Sequence, residues 1–237
     1  MAMPEEVNRV LTDRISSYLF CPTDTATDNL RKEGFPHPSP TKKTQKIFQV
    51  GDVMYDATLF YRERAREHVS LKQWNLEDSK FALCTIHRAE NTDNPSRLKS
   101  IFQALHQIST TLPIILPIHP RTKKILMKSS FAELLSSLNI VDPVSYIESQ
   151  RLEMGAKVIL TDSGGMQKEA FFHKVPCITL RDETEWVETV NSGWNTLAGA
   201  STEKILKAVE DIITPIDQGP YYGDGCSASK IIQELLK

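Results

Sequence analysis

No apolar run in this 237-residue sequence approaches the roughly 20 residues that span a bilayer, and the opening MAMPEEVNR has no signal-peptide pattern. Basic charge is not in excess. The formal net charge is −2, which leaves no positive field for nucleic acid. Cysteine is scarce too: Cys21, Cys84, Cys177 and Cys226 lie far apart and form no CxxC pair. With no HExxH and no clustered Cys/His spacing, nothing argues for a bound metal. Neither GxxxxGK[ST] nor GxGxxG occurs, so the P-loop and the dinucleotide fingerprint are both excluded. No repeat or low-complexity tract is apparent. These absences leave an ordinary globule with a real core, 40% hydrophobic and 24% charged. Its length suits one large α/β domain, or one domain plus part of another. Cys84 and Cys177 sit in apolar runs and read as buried free thiols, so a reducing cytoplasm is the expected setting.

What is present is alternation. The first stretch, MPEEVNRVLTDRISSYLFCPT, begins as an amphipathic helix with Val7, Val10, Leu11, Ile15 and Leu19 on about one face, and SYLFCPT reads as a buried strand. TDTATDNLRKEGF reads as a short helix ending at Gly34. One helix–strand–helix piece cannot enclose a core, so this segment must lean on something else. Pro36 to Gln45, rich in proline, serine and lysine, is the best linker candidate. Beyond it come strands at KIFQVGD, FALCTIH, PIILPIH, NIVDPV, KVILTDS and PCITLRD, then a loop to NTLAG. Helices are expected at VMYDATLFYRERAREH, PSRLKSIFQALHQIS, RTKKILMKSS, FAELLSS, YIESQRLEMGA, TEKILKAVEDIIT and SASKIIQELLK. Five or six apolar strands alternating with helices imply an α/β fold, a Rossmann-like doubly wound parallel sheet.

In such a sheet ligands bind at the carboxyl ends of the strands. That rule selects Gly51-Asp52, the run from His87 to Asn91, His119-Pro120-Arg121, Asp162 to Gly165, and Arg181 to Glu185. Ser163-Gly164-Gly165 opens a helix directly after an apolar strand. Unpaired helix-start amides and the helix dipole favour an anion there, and glycine lets a phosphate approach the backbone. Glu169, a turn and a half further on, is within reach of a ribose diol. The competing structural reading is an N-cap serine before a flexible turn. His87, flanked by Arg88 and Glu90, can donate to a leaving oxygen or shuttle a proton; otherwise it simply bonds nearby backbone. His119 carries the same two readings, with Pro120 fixing a turn. His37, His68, His106 and His173 read as solvated. Glu5 and Arg9, spaced i,i+4 at a helix start, read on spacing alone as a surface ion pair.

Taken together, MPEEVNRVLTD, VGDVMYDA, TIHRAENTDNPSRL, LPIHPRT, DSGGMQKEA, LRDETEWVETV with GWNTLAG, and YYGDGCSASKII resemble the non-hydrolysing UDP-N-acetylglucosamine 2-epimerases, in order and along nearly the whole chain. The resemblance implies the C-terminal half of a GT-B-type two-domain fold. Residues 1–45 would be a remnant of the N-terminal Rossmann-like domain plus linker, 46–225 the nucleotide-sugar domain and 226–237 a C-terminal helix. The family's N-terminal domain normally supplies over a hundred further residues, so a truncated chain is expected, a homodimer in its full-length form and inactive alone. The implied substrate is a UDP-sugar, inverted at C2 by elimination and re-addition of UDP with no cofactor. Matched position by position, Glu5, Arg9 and His87 are the catalytic residues. Ser163, Gly164 and Gly165 cradle the diphosphate, Glu169 holds the ribose, and Arg181, Arg88 and His119 line the same cleft. Many members have Glu-Arg-Pro-Glu where this chain has Glu185-Trp186-Val187-Glu188, and an aromatic where it has Ser149. HRAEN and EWVE also occur in relatives acting on UDP-2,3-diacetamido-glucuronic acid, an alternative sugar. Two further readings stand beside these: a GT-B glycosyltransferase and a non-catalytic UDP-sugar-binding module.

Overall fold

The computed structural model describes residues 4–37, 44–118, 123, 126 and 132–237. His119, the expected helix over 121–130 apart from Lys123 and Leu126, and most of the 36–45 segment lie outside them. The chain divides into two compact units, Met1–Leu59 with Pro220–Lys237, and Phe60–Gly219. The 1–45, 46–225 and 226–237 division is a different partition, drawn by descent rather than by contact.

In the first unit, α1 (Pro4–Ile15) precedes β1 (Tyr18–Cys21) and α2 (Asp24–Lys32). Thr23 caps α2 by accepting from the Ala26 amide at 3.2 Å, and the chain leaves through Gly34 at φ +88°. β1 pairs in parallel with β2 (Lys46–Gln49), so β2 does not join the long sheet that the strand pattern suggests for it. Burial differs accordingly: β2 is half-exposed along its length, whereas the four inner strands of the long sheet are enclosed on both faces. Leu19 belongs to β1, packed among Cys21, Leu30 and Phe35, and not to the exposed helix face with Leu11 and Ile15. After β2 the chain turns through Gly51, at φ +89°, whose Cα side faces the Tyr222 carbonyl too closely for any Cβ. It then enters α3 (Val53–His68), and Asp56 accepts from the Ser227 and Ala228 amides that start α11 (Ser227–Leu235).

The second unit carries a six-stranded parallel sheet: β3 (Ala82–Thr85), β4 (Ile114–Pro117), β5 (Asn139–Val141), β6 (Val158–Thr161), β7 (Cys177–Thr179) and β8 (Asn195–Leu197). The spatial order is β5-β4-β3-β6-β7-β8, the doubly wound order with its switch point between β3 and β6. NTL, expected within a loop, is the edge strand β8 beside β7. Apolar runs such as VILT can enclose both faces because helices cover them. α5 (Pro95–Ser109) and α10 (Thr202–Glu210) pack on the side holding Leu98, Ile101, Phe102 and Leu105, against which Leu134 and Leu135 of the short α6 (Ala132–Leu135) also rest, and Leu116 and Leu160 point to the same core. Leu83, Ile115, Leu152 and Ile159 fill the opposite side with α7 (Tyr146–Gly155). Asn94 and Pro95 start α5 where the sequence places it: Asn94 Oδ1 accepts from the Ser96 and Arg97 amides at 3.1 Å each.

Candidate active site at the switch point

β3 and β6 are hydrogen-bonded neighbours whose helices leave in opposite directions, so a crevice opens beyond their carboxyl ends. Thr85 and Thr161 close the floor with hydroxyls 2.7 Å apart, and Thr161 Oγ1 accepts from the Ser163 amide at 2.9 Å. Asp162 is the joint. Its fully buried carboxylate accepts from the His87 amide at 3.0 and 3.2 Å, the Arg88 amide at 3.1 Å and Asn91 Nδ2 at 3.0 Å. One side chain immediately after β6 therefore holds the loop after β3 and the short helix α4 (Ala89–Thr92) in register with the glycine turn. Such bonds to an ionised group are the stronger kind.

α8 (Gly164–Phe172) begins at that turn, with Ser163 as N-cap accepting from the Met166 amide at 3.4 Å. A Cβ on Gly164 would stand 3.2 Å from Trp186 Nε1 and 3.6 Å from Glu185 Oε2. The helix start is thus roofed by the loop that leads into α9 (Val187–Asn191). Lys168 lies over the Trp186 ring, 4.2 Å from its centroid, which holds a cation one turn into the helix. Arg181, 3% exposed, is gripped by Glu185 through two 3.1 Å bonds. Burial pushes the Glu185 carboxyl up, but the Arg181 bonds, the backbone and the charge of Arg88 outweigh it and hold the group below its ordinary range. Arg97 ties Glu90 at 3.0 Å to Asp182 at 2.8 Å on the same rim.

Beside the turn a cavity of about 220 Å³ is lined by Leu83, Thr85, His87, Pro143, Ser149 and Met166. It is mostly apolar, with hydroxyls at two points, as a ring-shaped ligand requires. Glu169 is 7% exposed, with Gln150 Nε2 donating to it at 2.9 Å; burial raises its carboxyl to about 7 against the Tyr146, Gln150 and Lys168 contacts. His173 is a correction. It does not lie in solvent: its side chain is 3% exposed, and burial, with the charges of Arg62 and Arg66, lowers it to about 4. His173, the C-cap residue just past α8, faces inward, which the polar letter alone conceals.

Of the expected site residues, His87, Arg88, Ser163, Gly164, Gly165, Glu169 and Arg181 all lie in the second unit, on the loops and helix that follow β3, β6 and β7. His87 presents an exposed ring and Arg88 is half-buried. Arg9, in the first unit, bonds Glu6 at 2.7 Å, Asp13 at 2.8 Å and Glu33 at 2.9 Å. Of Glu5 only the backbone, in α1, is described. Gln150 escapes motif reasoning; Asp162 is among the strand-end residues selected from the sequence, which assigns it no role. Among the described residues no three His, Cys, Asp or Glu side chains gather as a metal would need. Nor is any described helix long and apolar enough to cross a membrane.

Sheet order and glycine crevice define a Rossmann-like α/β protein of GT-B type. The family model for UDP-N-acetylglucosamine 2-epimerase matches residues 1–236, and the chain belongs to that family. The Pseudomonas aeruginosa UDP-2,3-diacetamido-2,3-dideoxy-D-glucuronate 2-epimerase is 45% identical to it over 240 residues. That match covers 100% of this chain and 64% of the relative. The solved Methanocaldococcus jannaschii UDP-GlcNAc 2-epimerase, in complex with UDP-GlcNAc and UDP, is 44% identical with a TM-score of 0.84, covering 99% of this chain and 65% of that one. The Neisseria meningitidis enzyme bound to UDP-GlcNAc is 28% identical, with a TM-score of 0.82 and coverage of 98% and 65%. The chain thus spans a little under two thirds of the length of these relatives.

Proposed function

We propose that this chain is the nucleotide-sugar-binding part of a UDP-N-acetylglucosamine 2-epimerase, an isomerase that interconverts UDP-GlcNAc and UDP-ManNAc. The observation that carries the reading is the Ser163-Gly164-Gly165 helix start at the switch point, with Asp162 locking the His87 loop beside it. The diphosphate meets the α8 amides, Ser163 and Lys168; the base occupies the cavity edged by Thr85, Ser149 and Met166; and Glu169 accepts the ribose hydroxyls. Arg88, Arg181 and His119 add positive or hydrogen-bonding groups around the sugar diphosphate. Glu5 is the base that removes the C2 proton, and Arg9 is the second catalytic group contributed by α1. The C1–O bond breaks as His87 supplies a hydrogen bond to the departing UDP, leaving a glycal. UDP then adds back at C1 as the proton returns to the other face of C2, so atoms and electrons balance without a redox cofactor.

Uptake of deuterium at C2 of UDP-GlcNAc from heavy water tests the reading, since a glycosyltransferase or a binding module gives none. In the full-length enzyme, His87→Asn is expected to lower turnover by about 100-fold with much less change in UDP affinity; unchanged turnover returns His87 to a structural role. Gly164→Asp places a carboxylate where phosphate approaches and is expected to abolish UDP binding measured by calorimetry. Because the chain spans 64% of its relatives' length, it is expected to bind UDP weakly and not to epimerise alone. A homodimer of the full-length form, in the cytoplasm, completes the reading. A second reading, an epimerase of UDP-2,3-diacetamido-glucuronic acid, is favoured by the 45% identity to the Pseudomonas enzyme and by Trp186 standing over Gly164. Competing the two UDP-sugars for one preparation decides between them.

A further inference from the structure

Behind the glycine-turn helix lies a group of polar side chains that the elimination chemistry leaves unused. Gln150, on α7, has no exposed surface and stands between two carboxyls. Its Nε2 donates to Glu169 Oε1 at 2.9 Å and to Glu153 Oε2 at 3.2 Å. Its Oε1 lies 2.9 Å from His173 Nε2 and can only accept, so that imidazole nitrogen carries the proton and donates. Glu153 is also fully buried, with Ser149 Oγ at 2.7 Å from its Oε1. Among the described residues no lysine or arginine pairs with it; the nearest cationic candidate is His173, 3.8 Å away.

The groups facing this network come from three elements. α7 supplies Tyr146, whose hydroxyl bonds Glu169, together with Gln150 and Glu153. α8 supplies Lys168 and Glu169 and, at its C-cap, His173, and α3 contributes the charges of Arg62 and Arg66 felt at His173. Two carboxylates sharing one amide donor away from water cannot both ionise. Burial and the neighbouring Glu169 push Glu153 far up, while Glu169 is raised only to about 7 because burial is opposed by Tyr146, Gln150 and Lys168. His173, lowered by burial and the two arginines, donates as a neutral ring.

We propose that Gln150 and Glu153 are positioning residues: neutral Glu153, with His173, fixes the Gln150 amide so that the network's single negative charge rests on Glu169, where it captures the ribose diol of the UDP-sugar. The inference rests on Glu169 being the ribose ligand. Ser149 Oγ donates to Oε1 of an ionised Glu153 across 2.7 Å; with the proton on Oε1 the hydroxyl turns to accept it, while Oε2 still accepts from Gln150. Ionised Glu169 accepts two hydroxyls and protonated Glu169 does not, so binding weakens as pH falls through about 7, where Glu169 takes up its proton.

The test is calorimetric titration with UDP-GlcNAc, whose diphosphate diester exchanges no proton near neutrality, from about pH 6 to 8.5. Wild type, Glu153→Gln and Glu153→Leu are compared, and wild type is repeated with the 2′,3′-dideoxyribose analogue. For wild type, Kd is expected to rise toward tenfold per pH unit below about 7, and with the analogue to stay flat. Glu153→Gln fixes the neutral state and keeps the wild-type midpoint. Glu153→Leu takes away the acceptor that orients Gln150, moves the midpoint upward and weakens binding at neutral pH about fivefold. A flat wild-type profile with binding intact overturns the inference alone. So does a midpoint lowered by about a pH unit in Glu153→Gln, which places charge on Glu153. Absence of binding at every pH overturns the ribose reading and the inference with it.

Discussion

The two units spend their apolar residues differently. In the six-stranded sheet Leu83, Ile115, Ile159 and Leu160 are at most 1% exposed, sealed by helices on both faces. In the two-stranded sheet only one face is sealed: Leu19 and Cys21 pack with Leu30 and Phe35, while Tyr18, Phe20 and Phe48 stack on the other with ring centroids 5.7–6.3 Å apart. Leu11 and Ile15 on α1 are 57% and 73% exposed. The same residue types therefore carry different weight. In the central strands of the second unit the apolar letters report packed contacts beneath the crevice, although Phe60, Ile213 and Ile216 elsewhere in that unit are exposed; on α1 of the first unit they report surface.

The contrast is sharpest at Asp162. Asp162→Ala removes the acceptor shared by the His87 and Arg88 amides and one of the two acceptors of the buried Asn91 amide, whose other is the Leu180 carbonyl. It is expected to cost about 4 kcal/mol in denaturant unfolding and to abolish UDP binding. A loss below about 1 kcal/mol breaks the view of Asp162 as the joint. Next comes the core. Leu160→Ala should cost about 3 kcal/mol, whereas Ile15→Ser, on the exposed face of α1, should change stability by less than about 0.5 kcal/mol. Equal costs at the two positions erase the distinction between the units. A pH measurement gives the smallest effect. His173 is depressed in the folded state to about 4, so the unfolded chain binds the extra proton, and this group's contribution is lost as pH falls from 6.5 toward 4. His173→Gln cannot protonate, and at about pH 5 it should exceed wild type by on the order of 2 kcal/mol, with the gain vanishing above about pH 7. An equal difference at both pH values removes protonation as the cause.

Much of this was legible as letters. VMYDATLFYRERAREH and PSRLKSIFQALHQIS are α3 and α5 residue for residue, because Asn94 and Pro95 mark a start and the apolar spacing marks a face. The fully buried strands read directly as apolar runs. The strand-end rule placed His87, Ser163, Gly164 and Gly165 at the carboxyl edge of the sheet, where the structure has them. What stayed hidden depends on partners distant in sequence. KIFQ resembles any strand, and only its pairing with YLFC keeps it out of the long sheet. Polar letters were the other blind spot. Gln150, Glu153 and His173 look like solvated helix residues until a second helix closes over them, and Asp162 looks like a cap until its four bonds are seen.

The pairing of β3 with β6 also governs the order of events when the chain folds. Thr85 and Thr161, the residues that close the crevice floor, are 76 residues apart in sequence and meet only when the two central strands zip together. Long-range parallel pairing is slow, because loop-closure entropy is spent before the contacts form. Each half of the sheet can acquire its helices while Asp162 is still far from the His87 amide. Competence to hold a nucleotide should therefore lag behind helical content during refolding, and excess UDP should trap the late state without hastening its arrival.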